Sequence, residues 1–585
     1  MVFGMFRLSA KFTVFTSLVS VLLAGLVVSA QDQQPSNRSV SQLLERLEGH
    51  RITYNPSGQV IAIEFKQFTG VSSFGELCLF DKLDTIDVEY AGQIQNHTLS
   101  GIGLLQNLKK LKLRYADEIT SDAMAVLQYV PNLEELLLTN ARQVTNLGPL
   151  NNCARLKRVT LEFTNIDWST LLKDDLASRM PIEELTISGD SKLAESDFEV
   201  LAAFPKLKKV TILESSQLTD GHLSKLAQSS SLRTIMIEKC NQVTGSFLKA
   251  FDQHPLDEMK VNSTGFKLES INEYKNIGRL VKLSLKTGFV GRKPKSEILG
   301  QSPYSWVSQL SNLEELEIDS RQFAVEELVS LTNSKRLRHL NVVLPRNSTI
   351  GVDSANWISN WPNLEALRLS GGKAIPTEWT RLLMVNPKLE ELILEKCEFK
   401  DDAILSIFDS RSLKRLGFIS CNLTDGQLAR LPQLKDLETV DLLNNSALTD
   451  AAVESIASCP KLKHLRISAA KGITGSGFQK FPADAPLETL MLIRLNTFTP
   501  MALETVLQLK NLKEFSFFSD GITKEHFEAL KYAGSLETVI MEPQDKLDEI
   551  FRWQLSELRP DLAAGNTSIK WTDRFRLLRP EDVED

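Results

Sequence analysis

The chain has 585 residues, of which 42% are hydrophobic and 24% charged, and this balance is typical of a folded protein rather than a disordered one. Its formal net charge of −7 argues against a dedicated nucleic-acid binder, which would need a basic face to offset phosphate charge. Six cysteines are too few for a disulfide scaffold, and seven histidines without a ligand-like cluster offer little for a metal enzyme.

Residues 1–30 have the pattern of an export signal. Arg7 and Lys11 form a basic start, an apolar run extends from Phe12 to Val28, and a Val-Ser-Ala cleavage site precedes a polar stretch. A run of 17 residues is at the lower limit for crossing a bilayer, so cleavage is favoured over an uncleaved anchor. We expect an exported protein that is periplasmic, bound to the cell surface or secreted.

A short apolar motif recurs through most of the sequence. Its form is apolar-x-x-apolar-x-apolar, as at 133–138, and its first positions define 20 units between Val60 and Leu536. Eighteen of the 19 spacings lie between 23 and 27 residues, and the exception of 33 separates Leu280 from Leu313. Repeats of this length are typical of solenoids, in which neighbouring units stack to bury one continuous core.

The second half of each unit has its own signature. In the stretches that begin at Gln217, Asn422 and Ala447, an apolar residue is followed by Thr, Asp and then apolar residues at helical spacing. Thr is a good helix N-cap, Asp favours the positive end of a helix, and the apolar residues form one buried stripe. Each unit is therefore predicted to be a short strand, a turn and a helix of about two to three turns.

Together these patterns predict an α/β fold, namely a right-handed solenoid of about 20 strand–helix repeats with a parallel concave sheet. Over about residues 60–545 the repeats resemble the leucine-rich-repeat family, specifically its cysteine-containing type, which also occurs in F-box substrate adaptors. The resemblance implies a horseshoe-shaped solenoid. The Thr-Asp repeats behind an export signal and a polar spacer also resemble the large exported leucine-rich-repeat proteins of planctomycete-type bacteria.

The predicted organisation is one elongated domain with capped ends, which overrides the several compact domains that length alone would suggest. Its parts are a signal peptide at 1–30, a polar spacer and N-terminal cap at 31–59, the solenoid at 60–545, and a C-terminal cap with an acidic tail at 546–585. The N-terminal cap has the pattern of a helix, a turn and a first strand.

Five cysteines occupy two recurrent sites. Cys240, Cys397 and Cys421 each follow the last apolar strand residue by three positions, whereas Cys153 and Cys459 precede the first by three. We interpret all five as packed free thiols that act as small apolar side chains. Cys397 and Cys421 lie in adjacent repeats, whose strands are about 4.8 Å apart. A disulfide there is sterically conceivable, but parallel side-chain directions disfavour it.

The sequence contains no HExxH, CxxC, GxSxG, Walker or GxGxxG motif. We therefore predict no enzymatic activity, no cofactor and no metal site. The leading hypothesis is an exported scaffold that binds a protein, or a cell-envelope polymer, through its concave face, with no nucleic-acid partner and no membrane span after cleavage. The alternative, an F-box-like substrate adaptor, is disfavoured by the leader and the short N-terminal flank. A polysaccharide hydrolase is a third hypothesis, but no paired-carboxylate motif stands out.

We number the positions of each unit from its first apolar residue. Positions three, five and seven are expected to point outward, because side chains alternate along a strand. In the first half of the chain, charges at position three alternate in sign through Lys110, Glu135, Arg158, Glu184 and Lys209. Such pairs stabilise neighbouring repeats and neutralise the surface, so capture of a polyanion is not expected there.

In the second half, apolar residues occupy the outward positions. Position seven holds Ile419, Leu443, Ser468, Ile493 and Phe518, and position five adds Ile393, Met491 and Ile540. An exposed apolar patch tends to mark an interaction site, so these apolar residues are predicted to bind a partner. The alternatives are that the C-terminal flank covers them or that the strand ends curl inward.

The long unit at 280–312 is a second candidate. It is about eight residues longer than its neighbours, and its glycines and prolines predict a loop. Loops on a rigid scaffold often carry recognition, and the candidate residues here are Arg292, Lys293, Lys295 and Tyr304. The alternative is a tolerated insertion, and Trp306 is expected to lie in the core.

Overall fold

The computed structural model describes residues 37–542 except 100, 190–192, 288–303, 320–322, 324, 346, 352–357, 359 and 401. The predicted signal peptide at 1–30 and the predicted C-terminal cap at 546–585 lie outside the described residues. The chain divides into two compact parts, Met1–Asn276 and Ile277–Asp585, which are called the first unit and the second unit from here on. The short sequence units described above are called repeats.

In the first unit a helix and a hairpin precede the regular repeats. The helix is Asn37–Arg46, and strand β1 (Arg51–Tyr54) pairs antiparallel with β2 (Val60–Gln67). Every later strand of this unit pairs in parallel with the strand before it. These strands are β3 (Thr85–Tyr90), β4 (Lys110–Leu113), β5 (Glu135–Thr139), β6 (Arg158–Glu162), β7 (Glu184–Ser188), β8 (Lys209–Leu213), β9 (Thr234–Glu238) and β10 (Glu258–Asn262).

The second unit has the same architecture, with successive strands paired in parallel. Its strands are β11 (Lys282–Lys286), β12 (Glu315–Asp319), β13 (His339–Val343), β14 (Ala366–Ser370), β15 (Glu391–Glu395), β16 (Arg415–Ile419), β17 (Thr439–Leu443), β18 (His464–Ser468), β19 (Thr489–Ile493), β20 (Glu514–Phe518) and β21 (Thr538–Glu542). Strands β2 to β21 match the predicted repeats one to one. Each unit is thus a leucine-rich-repeat solenoid of the α/β class, as predicted.

The segments opposite the strands are shorter and more varied than the predicted helices of two to three turns. The α-helices after the first are Ser121–Leu127, Glu195–Ala202, Asp220–Lys225, Val325–Val329, Thr377–Met384, Asp425–Leu428, Asp450–Ala457, Pro500–Leu507 and Lys524–Glu528. Several other repeats have only 3-10 turns here, such as Phe74–Leu79, Gly148–Asn152, Ser246–Lys249 and Ala403–Asp409. Short segments nucleate an α-helix poorly, and a 3-10 turn spans the same gap with fewer residues.

The core of each unit lies between the strands and these helical segments. The apolar residues of the motif face it, as shown by Leu133, Leu136 and Leu138, which are at most 1% exposed. Trp306 is fully buried, so its predicted place in the core is confirmed. Because no repeat is thick enough to bury this stripe alone, stacking supplies most of the apolar contact.

A left-handed backbone conformation ends most strands. It occurs at position eight, where φ is between 51° and 57° at the non-glycine members. The residues concerned are Tyr115, Asn140, Phe163, Gly189, Glu214, Lys239, Gly371, Lys396, Ser420, Asn444, Ala469 and Arg494. The N–H of this residue donates to the carbonyl of position seven in the next repeat, as from Asn140 to Glu162 at 2.8 Å, except that the Tyr115 N–H donates to the Thr139 hydroxyl. The bend therefore lengthens the contact between neighbouring repeats and turns position nine inward.

Position nine holds small or hydrogen-bonding side chains, as the sequence predicts. Cys240, Cys397 and Cys421 are buried free thiols. Each Sγ lies 3.3–3.4 Å from the carbonyl oxygen two residues earlier. A hydrogen bond with Cys421 and burial together raise the pKa of the Cys397 thiol. At the same position the Asn445 side chain donates to the Phe418 carbonyl at 2.8 Å. These side chains satisfy backbone groups that the bend would otherwise leave buried and unpaired.

The aspartates of the Thr-Asp motif bond mainly to the next repeat rather than to their own helix. The Asp450 carboxylate accepts from the N–H groups of Thr474, Gly475 and Gly477 at 2.9–3.2 Å. Asp220 accepts in the same way from the repeat that follows it. Burial tends to raise the pKa of Asp450, but the bonds from the following repeat outweigh it, and the pKa lies below the ordinary value.

Asp450→Ala is expected to destabilise the loop that its carboxylate holds, by about 1–2 kcal/mol, because three N–H donors lose their acceptor. Amide exchange at Thr474, Gly475 and Gly477 should become about 5–30-fold faster. Because the folded-state pKa is lowered, this stabilisation is present above the unfolded pKa of about 3.9 and is lost as the pH falls through the folded value. The difference from wild type should therefore shrink in acid.

The matched control is Glu454→Ala, which removes an exposed carboxylate from the same helix. Exchange in the 474–477 loop should not change in this variant. Equal exchange rates in wild type and Asp450→Ala would show that the bonds between repeats do not hold this loop.

Candidate partner-binding surfaces

The outward side chains of the first unit form charge pairs between neighbouring strands. Lys110, Glu135 and Arg158 lie in register on β4, β5 and β6, as the alternation of charge predicts. Glu135 pairs with Arg158 at 3.2 Å and with Lys112 at 3.4 Å. Burial tends to raise the pKa of Glu135, but these two cations lower it below its usual value. The charges thus neutralise one another across repeats.

The apolar residues of the second unit are less exposed than alternation along a strand predicts. Leu443, Phe518 and Ile393 are buried, with 6%, 9% and 4% of their surface exposed, so the expectation that they are solvent-exposed is wrong. Side chains in register on adjacent strands, about 4.8 Å apart, cover one another, as Ile493 and Phe518 do. Leu443 lies beside Ile419 in this way. The partner-binding role of these residues stays a prediction.

Ile393 is buried for a different reason, which is the absence of a side chain beside it. Its register partner on the next strand is Gly417. A Cβ atom at Gly417 would lie only 3.2 Å from Ile393 Cγ1, so the isoleucine fills the space that the glycine leaves. A glycine in an outward position therefore leaves space on the sheet face, and the neighbouring side chain becomes buried by filling it.

Three of the predicted residues remain partly exposed. They are Ile419, Met491 and Ile493. We call these three, together with the buried Ile393, Leu443 and Phe518, the apolar strip. Ile540 belongs to β21, but its side chain lies outside the described residues. The strip therefore presents a few accessible apolar groups on a well-packed base, rather than a fully exposed patch.

An ion cluster on the same face was not predicted from the sequence. Asp441, at position five of β17, is only 1% exposed. Its carboxylate pairs with Arg415 at 3.1 Å and with both Nε and Nη2 of Arg466, the latter at 2.7 Å. Glu391 lies 3.7 Å from Arg415. The bond to Asp441 raises the pKa of Arg466, although burial opposes this. The cluster fixes two long side chains beside the apolar strip.

Of the long-loop candidates, the structure describes only Tyr304. Arg292, Lys293 and Lys295 lie outside the described residues. Tyr304 is 3% exposed and packs against Phe323, with ring centroids 5.8 Å apart, and its role in recognition stays a prediction. Trp306 lies on the same phenylalanine, with ring centroids 6.4 Å apart, and burying such aromatic rings is favourable.

Metal clusters and membrane-spanning helices are both absent from the described part of the chain. No group of three or more His, Cys, Asp or Glu side chains is arranged to hold a metal ion. No helix among the described residues is both long and apolar enough to cross a bilayer.

Comparison with known proteins finds solved structures of low sequence identity. Neither a protein-family model nor a curated protein matches the chain significantly. An internalin from Listeria monocytogenes is 18% identical with a TM-score of 0.40, over 70% of this chain and 95% of that chain. A leucine-rich-repeat protein of Leptospira interrogans is 16% identical with a TM-score of 0.40, over 74% and 100%. TLR13, solved in complex with ssRNA13, is 16% identical with a TM-score of 0.45, over 85% and 82%.

Asp441→Ala is expected to destabilise the second unit by about 2–3 kcal/mol, because two partly buried guanidinium groups lose their shared counter-ion and only Glu391, 3.7 Å from Arg415, remains near them. Chemical denaturation followed by circular dichroism measures this loss. The control is Glu488→Ala, which removes one side of an exposed pair with Lys513 and should leave the transition almost unchanged. If both variants unfold at the wild-type denaturant concentration, the cluster does not stabilise the sheet face.

Proposed function

We propose that the chain is a non-enzymatic binding scaffold, and that it recognises a protein partner through the strand face of its second unit. The observation that carries this proposal is the set of partly exposed apolar residues Ile419, Met491 and Ile493, which stand on rigid parallel strands beside the Asp441 ion cluster. An apolar centre with a polar rim is the usual anatomy of a protein interface.

The energetics of this surface fit a binding role. Fully burying one large apolar side chain contributes about 1.5–3 kcal/mol. The buried Leu443 and Phe518 hold the exposed members in place, so little conformational entropy is lost when a partner binds. Arg415 and Arg466, already fixed by Asp441, provide directional donors at the edge of the strip.

We further propose that the protein is exported and belongs to the cysteine-containing type of leucine-rich-repeat protein. Export is supported by the basic start, apolar run and small-residue site of residues 1–30. The repeat type is supported by Cys240, Cys397 and Cys421, which share position nine and donate to backbone carbonyls. The Thr-Asp repeats behind such a leader support an origin in planctomycete-type bacteria.

The intact mass of the protein recovered from the producing cell tests export. Cleavage after Ala30 should yield a chain that begins at Gln31 and is found outside the cytoplasm. A cytoplasmic protein with an intact leader would contradict export and would favour the substrate-adaptor alternative.

Ile493→Glu is expected to weaken binding of the partner about 10–100-fold, because a charge replaces an apolar group that the partner would bury. The partner is first captured with the wild-type chain and purified, and its affinity for each variant is then measured by calorimetry. The melting temperature should change little, because Ile493 is partly exposed.

The matched control is Leu213→Glu. Leu213 is also partly exposed at position seven, but it lies in the first unit between Ser188 and Glu238, outside the apolar strip. The control should bind the partner as wild type does. Equal affinity of wild type and Ile493→Glu would exclude the strip as the binding surface.

A further inference from the structure

Exposed aromatic rings form a row along one edge of the strand face in the first unit. Tyr90, Tyr115 and Phe163 all occupy position eight of their repeats, and 43%, 48% and 41% of their surface is exposed. Asn140 takes the same position in the repeat between Tyr115 and Phe163 and is partly exposed. We call these four residues the aromatic row.

The rings of this row are held in place. Tyr90 and Tyr115 stack with centroids 5.5 Å apart and an interplanar angle of 15°. The Phe163 ring covers Gly189 in the next repeat, where a Cβ atom would lie only 2.3 Å from Phe163 Cε1. Tyr115 therefore packs against the repeat that precedes its own, and Phe163 packs against the repeat that follows its own. The Asn140 amide is left between two ordered aromatic surfaces.

The backbone of these residues is strained for their size. Tyr115 and Phe163 have φ values of 56° and 53°, in the left-handed region that glycine and asparagine tolerate best. Their rings remain exposed, so core packing does not offset this cost. The same left-handed φ recurs at position eight of other repeats, so the bend belongs to the fold, and the exposed ring is what distinguishes these repeats.

The surroundings of the row are polar and slightly acidic. Its neighbours at position seven include Glu89, Arg114 and Glu162, and Arg114 is already paired with Asp87. A nucleic acid would need surplus cations to stack its bases here. The centre of a protein interface would need contiguous apolar side chains. A short row of rings among planar polar groups instead suits a ligand that has both apolar faces and many hydroxyl groups.

We propose that the aromatic row binds neutral hexose units of a polysaccharide. The C–H faces of the sugar rings would stack on Tyr115 and Phe163, and the sugar hydroxyls would bond to the Asn140 amide and the Glu162 carboxylate. Tyr115 and Phe163 are two strands apart, about 10 Å, which is close to the length of two linked hexoses. The row lies in the first unit, so the proposal does not depend on the apolar strip.

The test uses the full chain in isothermal titration calorimetry with three neutral hexasaccharides, namely cellohexaose, maltohexaose and laminarihexaose, and with a hexalysine peptide as a cationic probe. At least one hexasaccharide should bind the wild type. Tyr115→Ala should weaken that binding at least about tenfold, the effect of losing one stacking contact. Tyr115→Asn should weaken it equally while folding at least as stably as wild type, because asparagine tolerates the left-handed conformation.

Tyr54→Ala is the matched control, because Tyr54 is a similarly exposed tyrosine, at 49%, that lies on strand β1 outside the row. It should leave the affinity for the hexasaccharide unchanged. The proposal is overturned if none of the three sugars binds, if Tyr115→Asn binds as tightly as wild type, or if only a hexalysine peptide binds. The last result would assign the row to cation–π recognition of basic segments instead.

Discussion

Hydrogen bonds between neighbouring repeats are the interaction on which the rest of this structure depends. The N–H groups of Lys109 and Lys110 both donate to the carbonyl of Asp84 in the repeat before, at 2.8 and 2.9 Å. The same arrangement recurs at the start of most later strands, and the position-eight N–H adds another bond at the strand end. A repeat removed from its neighbours would lose these partners together with the cover of its apolar stripe, so the units of stability are pairs of repeats.

This network also decides which side chains a partner can reach. The bend at position eight keeps the backbone bonded to the next repeat, and in doing so it covers much of position seven and exposes position eight. Leu443 is buried next to the bend at Asn444, whereas Tyr115 and Phe163 lie in the bend itself and are exposed. The two candidate surfaces thus share one cause, although one is mainly apolar and lies in the second unit while the other is aromatic and lies in the first.

The features that repeat every 23–27 residues could be predicted from the sequence. The spacing of apolar residues locates β2 to β21, and the alternating charges of Lys110, Glu135 and Arg158 fall in register as expected. These predictions succeed because strand register is set by a periodic apolar pattern. The position-nine thiols follow from the same periodicity.

The features that depend on one neighbour rather than on the period could not be predicted. The burial of Ile393 requires Gly417 beside it, and the burial of Asp441 requires Arg415 and Arg466 on two different strands. At Tyr115 and Phe163, exposure accompanies a change in φ that alternation along a strand does not describe. Reading each position down successive repeats, past position seven, would have shown the aromatic row, because Tyr90, Tyr115 and Phe163 share it.

The bonds made by the motif aspartates distinguish the two directions along the series of repeats, which the similar strands do not. Asp220, Asp425 and Asp450 each accept from the repeat that follows. When a later repeat opens, the earlier one keeps a carboxylate that water readily solvates. When an earlier repeat opens, the later one keeps N–H donors whose acceptor has gone, which is more costly. Within each unit, local unfolding therefore costs less free energy when it begins at the end nearer the C terminus, so unfolding has a preferred direction along the stack of repeats.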